Sequence, residues 1–93
     1  MTRLDHDHAE RKLEEVPGWG IVSGALHREV EFRTFVEAFG FMAMVALEAE
    51  KLDHHPDWSN SYNTVTIRLS THDAGGLSAK DIALAQAIDA MLA

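Results

Sequence analysis

The sequence predicts an α+β fold: a four-stranded antiparallel sheet with helices packed on one face, in the order α-β-β-α-β-β-α. Three observations lead there. Apolar residues recur at three- and four-residue spacing after Thr34 and again after Ser78, as on helices that cover a core. Residues 26–32 and 64–70 alternate apolar with polar, as half-buried strands do. Glycine, proline and asparagine punctuate the chain between these runs. A length of 93 residues fits one domain, 1–93, and a chain this short leaves a large share of its surface exposed after folding.

Asp5 or Asp7 can cap a first helix in which Ala9, Leu13 and Val16 share a face and which Pro17-Gly18 ends. Trp19 to Ser23 then reads as a short strand and Gly24 as a turn. In the strand that follows, Leu26, Arg28, Val30 and Phe32 alternate against His27, Glu29 and Glu31. Thr34-Phe35-Val36-Glu37 matches a capping box, with Thr34 accepting from a first-turn N–H and Glu37 reaching back to the cap. The helix it opens carries two apolar sets. Phe35, Phe39, Met42, Ala46 and Ala49 form one; Ala38, Phe41 and Val45 lie on a neighbouring face. One sheet cannot cover both: either the helix is well sunk in the chain's own core or the second set packs against another subunit, and for so small a domain the latter is favoured.

Pro56 disfavours helical geometry at His55 and cannot donate a backbone bond, so residues 53–57 form a loop entering a strand. Trp58 to Tyr62 makes a short strand turning near Asn63. Thr64 to Ser70 follows, with Val65, Ile67 and Leu69 on one face. Ser78 caps a last helix bearing Ile82, Leu84, Ala85, Ile88 and Met91, with Asp81 in the first turn, where a carboxylate is favoured.

Fifteen acidic residues against eight Lys and Arg give a net charge of -7, and the basic residues are scattered. No positive stripe is available to displace counterions from a phosphate backbone, so direct nucleic-acid binding is not expected. The chain has no cysteine, which removes disulfides and thiolate chemistry. No segment has the apolar length of a membrane span and the N-terminus lacks the apolar stretch of a signal peptide, so a cytoplasmic location is the expectation.

Of six histidines, His54 and His55 sit together in the proline-stiffened loop, and His72 follows the strand that this loop feeds through its short partner. If residues 58–62 and 64–70 form an antiparallel hairpin, the entry of the first strand lies beside the exit of the second and the three imidazoles converge. Three readings are open. A zinc site would suit three imidazoles and a water, but adjacent histidines seldom point the same way, and within this cluster neither His-x-His nor His-x-x-x-His spacing occurs. A structural role, capping a loop or lying on the surface, would suit each histidine taken singly. Acid–base catalysis would suit all three together, because imidazoles titrate near neutrality and one can give a proton while another takes one. Glu50 and Asp53 flank the pair and can polarise an imidazole or bind a substrate N–H, or simply end a solvated helix. His6, His8 and His27 are assigned no role.

The run Glu50-Lys51-Leu52-Asp53-His54-His55-Pro56-Asp57-Trp58, then Tyr62-Asn63, Leu69-Ser70-Thr71-His72-Asp73 and Gly76-Leu77-Ser78 resembles the signature of the pterin-4a-carbinolamine dehydratases. The likeness extends through Phe39-Gly40-Phe41-Met42, Val45-Ala46-Leu47 and Asp81-Ile82, and covers most of the chain from Trp19 onward. The resemblance implies a hydro-lyase that dehydrates 4a-hydroxytetrahydropterin, such as the biopterin compound, to quinonoid dihydropterin and water. It implies no cofactor and no metal, and a homodimer or homotetramer. It implies catalysis by His54, His55 and His72, with His55 at the departing hydroxyl and the other two as acid and base. Substrate binding would fall to Asp53, His54, His55, Ser70, Thr71, His72 and Asp73, supported by Glu50 and Asp81. Asp73 is shorter than the glutamate that the resemblance implies at its position, which keeps the charge and changes the reach. Two other roles known among the family stay open: dimerisation cofactor of a homeodomain transcription factor, and molybdenum-pterin metabolism. The intact histidine set favours the enzyme.

Overall fold

Asp5 starts α1 (His6–Leu13) by accepting a hydrogen bond from the His8 N–H at 2.7 Å. The structure is a computed structural model and describes residues 2–93. α1 stops a turn earlier than the spacing suggests. The N–H groups of Glu14, Glu15 and Val16 bond three residues back, to Arg11, Lys12 and Leu13, in a tightened turn that delivers Val16 to the core ahead of Pro17.

β1 (Gly20–Val22) and β2 (Ala25–Glu31) form a hairpin across Ser23 and Gly24, both at positive φ (51° and 77°), the geometry that matches the twist of a two-residue hairpin. β3 (Asp57–Ser61) and β4 (Thr64–Leu69) form a second, turning at Tyr62 with φ 50°. The sheet order is β1-β2-β4-β3, every pair antiparallel, with the longest pairing in the middle, from Leu26 opposite Leu69 to Glu31 opposite Thr64. This is the α+β fold expected from the pattern. Leu26 and Val30 share a face with Val65, Ile67 and Leu69, and α2 (Phe35–Leu52) and α3 (Ala79–Leu92) join that face in one core. The other face of the two central strands carries His27, Glu29, Glu31, Thr64, Thr66 and Arg68.

Arg28 points to the helical side of β2, where its half-buried charge is paired by Asp89 on α3. Its Nη1 lies 2.6 Å from Asp89 Oδ1, and Trp19 Nε1 donates to the same oxygen at 2.7 Å. This ties the far end of α3 to β2 and to the residue just before β1.

Thr34 Oγ1 accepts from the Glu37 N–H at 3.1 Å, but the Glu37 carboxylate turns to Arg33 at 3.2 Å, so the expected reciprocal bond of the capping box at α2 is replaced by an ion pair. The two faces of α2 are also exchanged relative to expectation. Ala38, Phe41 and Val45, assigned from the sequence to another subunit, are buried in the chain's own core together with Ala49, while Phe35 and Phe39 lie exposed. Periodicity alone shows two apolar stripes and cannot choose between them. The choice is made by Phe32, past the end of β2, whose ring sits 5.0 Å from that of Phe41, and by the small Ala38 and Ala49, which let the helix settle against its neighbours. Among the described residues no helix is long and apolar enough to cross a membrane.

Candidate active site

α2 ends because Asp53 adopts the left-handed conformation, φ 50°, which Asp tolerates better than most residues. The Asp53 N–H then bonds back to Glu50 O at 3.2 Å and the His54 N–H to Ala49 O at 3.0 Å, so two of the last carbonyls are satisfied as the chain turns sharply away. That turn sends His54 inward, and Pro56 leads on to β3. On the other side, β4 runs out at Leu69 into Ser70 and Thr71. Thr71 exchanges backbone bonds with Gly76, 2.8 Å and 3.3 Å, around a single 3₁₀ turn, His72–Ala74, that Gly75 closes at φ 72°. The pairing of Asp57 with Arg68 sets the start of β3 beside the end of β4, and so brings these two loops together.

Between them lies an open hollow of about 350 Å³ lined by Asp53, His54, His55, Ser70, Thr71, His72, Asp73 and Lys80. The three histidines picked from the sequence therefore share one cavity, and so do the other four residues assigned to substrate binding. Lys80 was missed. Its only sequence signal is its place two residues after the Ser78 cap, and nothing local says that this cap adjoins the histidine loop.

The histidines differ in surroundings. His54 is buried, 9% exposed, and its Nε2 lies 2.5 Å from Oδ1 of Asp81, which is wholly buried. The second carboxylate oxygen of Asp81 accepts from Thr71 Oγ1 at 2.8 Å and from the Ser78 N–H at 2.9 Å. His55 is largely exposed, with Nε2 at 2.6 Å from Glu50 Oε1. His72 lies exposed on the 3₁₀ turn. Glu50 and Asp81 are thus absent from the lining, yet each grips one of the histidines.

An ionised carboxylate can only accept, so a neutral imidazole facing one through Nε2 donates its proton there and keeps the lone pair on Nδ1. In that tautomer Nδ1 is the ring nitrogen that His54 and His55 leave without a carboxylate partner. Among the described residues no group of three or more histidine or carboxylate side chains is disposed to hold a metal ion. The arrangement offers proton donors and acceptors around a cavity, with Asp53 and Asp73 to accept N–H groups and Lys80 to supply a cation.

The family description "Pterin 4 alpha carbinolamine dehydratase" matches residues 2–91. A protein of Rhodospirillum rubrum that carries the provisional name pterin-4-alpha-carbinolamine dehydratase is 64% identical over 89 residues, covering 94% of this chain and 93% of the relative. One from Solibacter usitatus with the same provisional name is 50% identical over 92 residues, covering 99% and 97%. A crystal structure described as a transcriptional coactivator/pterin dehydratase from Brucella melitensis superposes with a TM-score of 0.95 at 41% identity, covering 99% of this chain and all of that one. With a match that runs nearly end to end and identities this high, the chain belongs to the pterin 4 alpha carbinolamine dehydratase family.

Proposed function

We propose that the chain dehydrates a 4a-hydroxytetrahydropterin to the quinonoid dihydropterin and water, in support of tetrahydropterin recycling, with histidines as the acid and base. The observation that carries this reading is the gathering of His54, His55 and His72 around one hollow of about 350 Å³. The elimination breaks the C4a–O bond and the neighbouring ring N–H bond. The hydroxyl leaves with a proton from an acid, the ring nitrogen gives its proton to a base, and its electron pair closes the C=N bond. His55 stands at the departing hydroxyl, and His54 and His72 trade the two protons. Asp53, Asp73, Ser70 and the backbone of the 70–73 segment hold the amide-like edge of the pterin.

The test is direct. Purified protein is expected to accelerate the dehydration of a chemically prepared 4a-carbinolamine well beyond the buffer rate, and to do so equally after treatment with a chelator. No acceleration would refute the reading. Loss on chelation with recovery on added zinc would replace histidine acid–base chemistry with a metal site.

The same reading includes assembly into a homodimer or homotetramer through the outer face of α2. Phe35, Val36, Phe39, Met44 and Leu47 are all exposed there, Leu47 at 70%, which is more apolar surface than a solvated helix ordinarily shows. Sedimentation equilibrium should give a mass above one chain of 10.3 kDa, and Phe39→Glu should lower it. A monomer at the concentrations used for turnover would exclude this surface as an assembly face.

A further inference from the structure

Thr71 and Ser78 stand at either end of the turn that closes the hollow, and their hydroxyls meet at 2.6 Å in the buried layer beneath it. The protons in this contact can be followed. The backbone N–H of Ser78 can only donate, and it donates to Asp81 Oδ2. Thr71 Oγ1 donates to the same oxygen, which uses its single proton. The bond between the two hydroxyls must then be supplied by Ser78. The chain therefore runs one way, from Ser78 O–H to Thr71 O–H to Asp81. Two donors of fixed orientation sit on Oδ2, and the carboxylate meets His54 through Oδ1. Donors in this geometry contribute most to an acceptor bearing full charge. No buried side-chain polar atom among the described residues is left unpartnered, so the network is closed.

We propose that Thr71 and Ser78 are positioning residues of the site: their hydroxyls hold Asp81 as an acceptor and thereby fix His54 as the Nε2–H tautomer, so that His54 exchanges protons through Nδ1 alone. This rests on the histidine reading given above for its catalytic consequence, but not for the tautomer. It also changes what Thr71 is for. The sequence resemblance assigns Thr71 to substrate binding, whereas its hydroxyl proton is spent inside the protein.

The experiment is ¹⁵N NMR of the histidine rings in the full-length protein without substrate, with kcat and KM measured on the same samples. Wild type should show His54 as one tautomer, protonated at Nε2. In Thr71→Val both tautomers should be populated, with kcat down roughly tenfold, the low end for loss of an orienting partner, and KM unchanged. Thr71→Ser, which returns the hydroxyl, should restore both readouts. Thr71→Ala serves if valine is not accepted at this buried site. An unchanged His54 tautomer and kcat in Thr71→Val would reduce the hydroxyl to packing and overturn the proposal. A rise in KM alone, with the tautomer unchanged, would overturn it in favour of direct contact with substrate. Because the tautomer is read in the free protein, a wild type that fails to turn over the carbinolamine would sink the dehydratase reading while leaving this measurement standing.

Discussion

Alanine at His55 or at His72 is expected to lower the dehydration rate of a 4a-carbinolamine by about 10²–10⁴-fold, the range over which a positioned acid or base acts, while leaving the unfolding transition in place. Both side chains are exposed, and neither belongs to the core. The contact between His55 and Glu50 lies at the surface, where such a pair contributes at most ~1 kcal/mol to stability. Activity and stability should therefore separate cleanly at these two positions, which is what distinguishes a residue kept for chemistry from one kept for the fold. Turnover measured beside thermal unfolding checks this. Unchanged rates in both variants would remove the two histidines from the mechanism.

The opposite pattern is expected at Asp81. Its carboxylate is wholly buried and takes bonds from His54 Nε2, Thr71 Oγ1 and the Ser78 N–H. Asp81→Ala leaves all three donors without their acceptor, and the Ser78 N–H among them is the reciprocal bond that opens α3. Each buried donor left unsatisfied costs about 1–3 kcal/mol, so a loss of several kcal/mol is expected. Against the total of ~5–15 kcal/mol typical of a folded domain, that is a large fraction. Urea unfolding measures it directly. Asp81→Asn should lose less, because it keeps the volume and one carbonyl acceptor. A change below about 1 kcal/mol in the alanine variant would mean that the network is not closed to water, as buried hydrogen-bonded groups require.

The contrast between these positions shows how far the chain could be read before folding. The signals carried by neighbours in sequence were legible. The alternation of Val65, Ile67 and Leu69 names a half-buried strand, Thr34 and Ser78 announce helix starts, and Pro56 forces a loop after α2. The meeting of residues 53–55 with 70–73 was legible too, because a short antiparallel hairpin places the entry of one strand beside the exit of the next whatever surrounds it. At α2, by contrast, two apolar stripes satisfy the same period, and the pattern holds no information on which one meets the sheet.

What the sequence determined by itself was the order of elements, the strand faces and the two loops that carry the histidines, since each depends on backbone preferences and periodicities within a few residues. Only the tertiary structure decided that Ala38, Phe41 and Val45 turn inward, that Lys80 joins the hollow, that Arg28 finds Asp89 and that His54 finds Asp81. Those last two pairs span 61 and 27 residues. Such partners are chosen by how α3 packs on α2 and the sheet. That packing is a sum over many weak apolar contacts, and no short stretch of sequence records it.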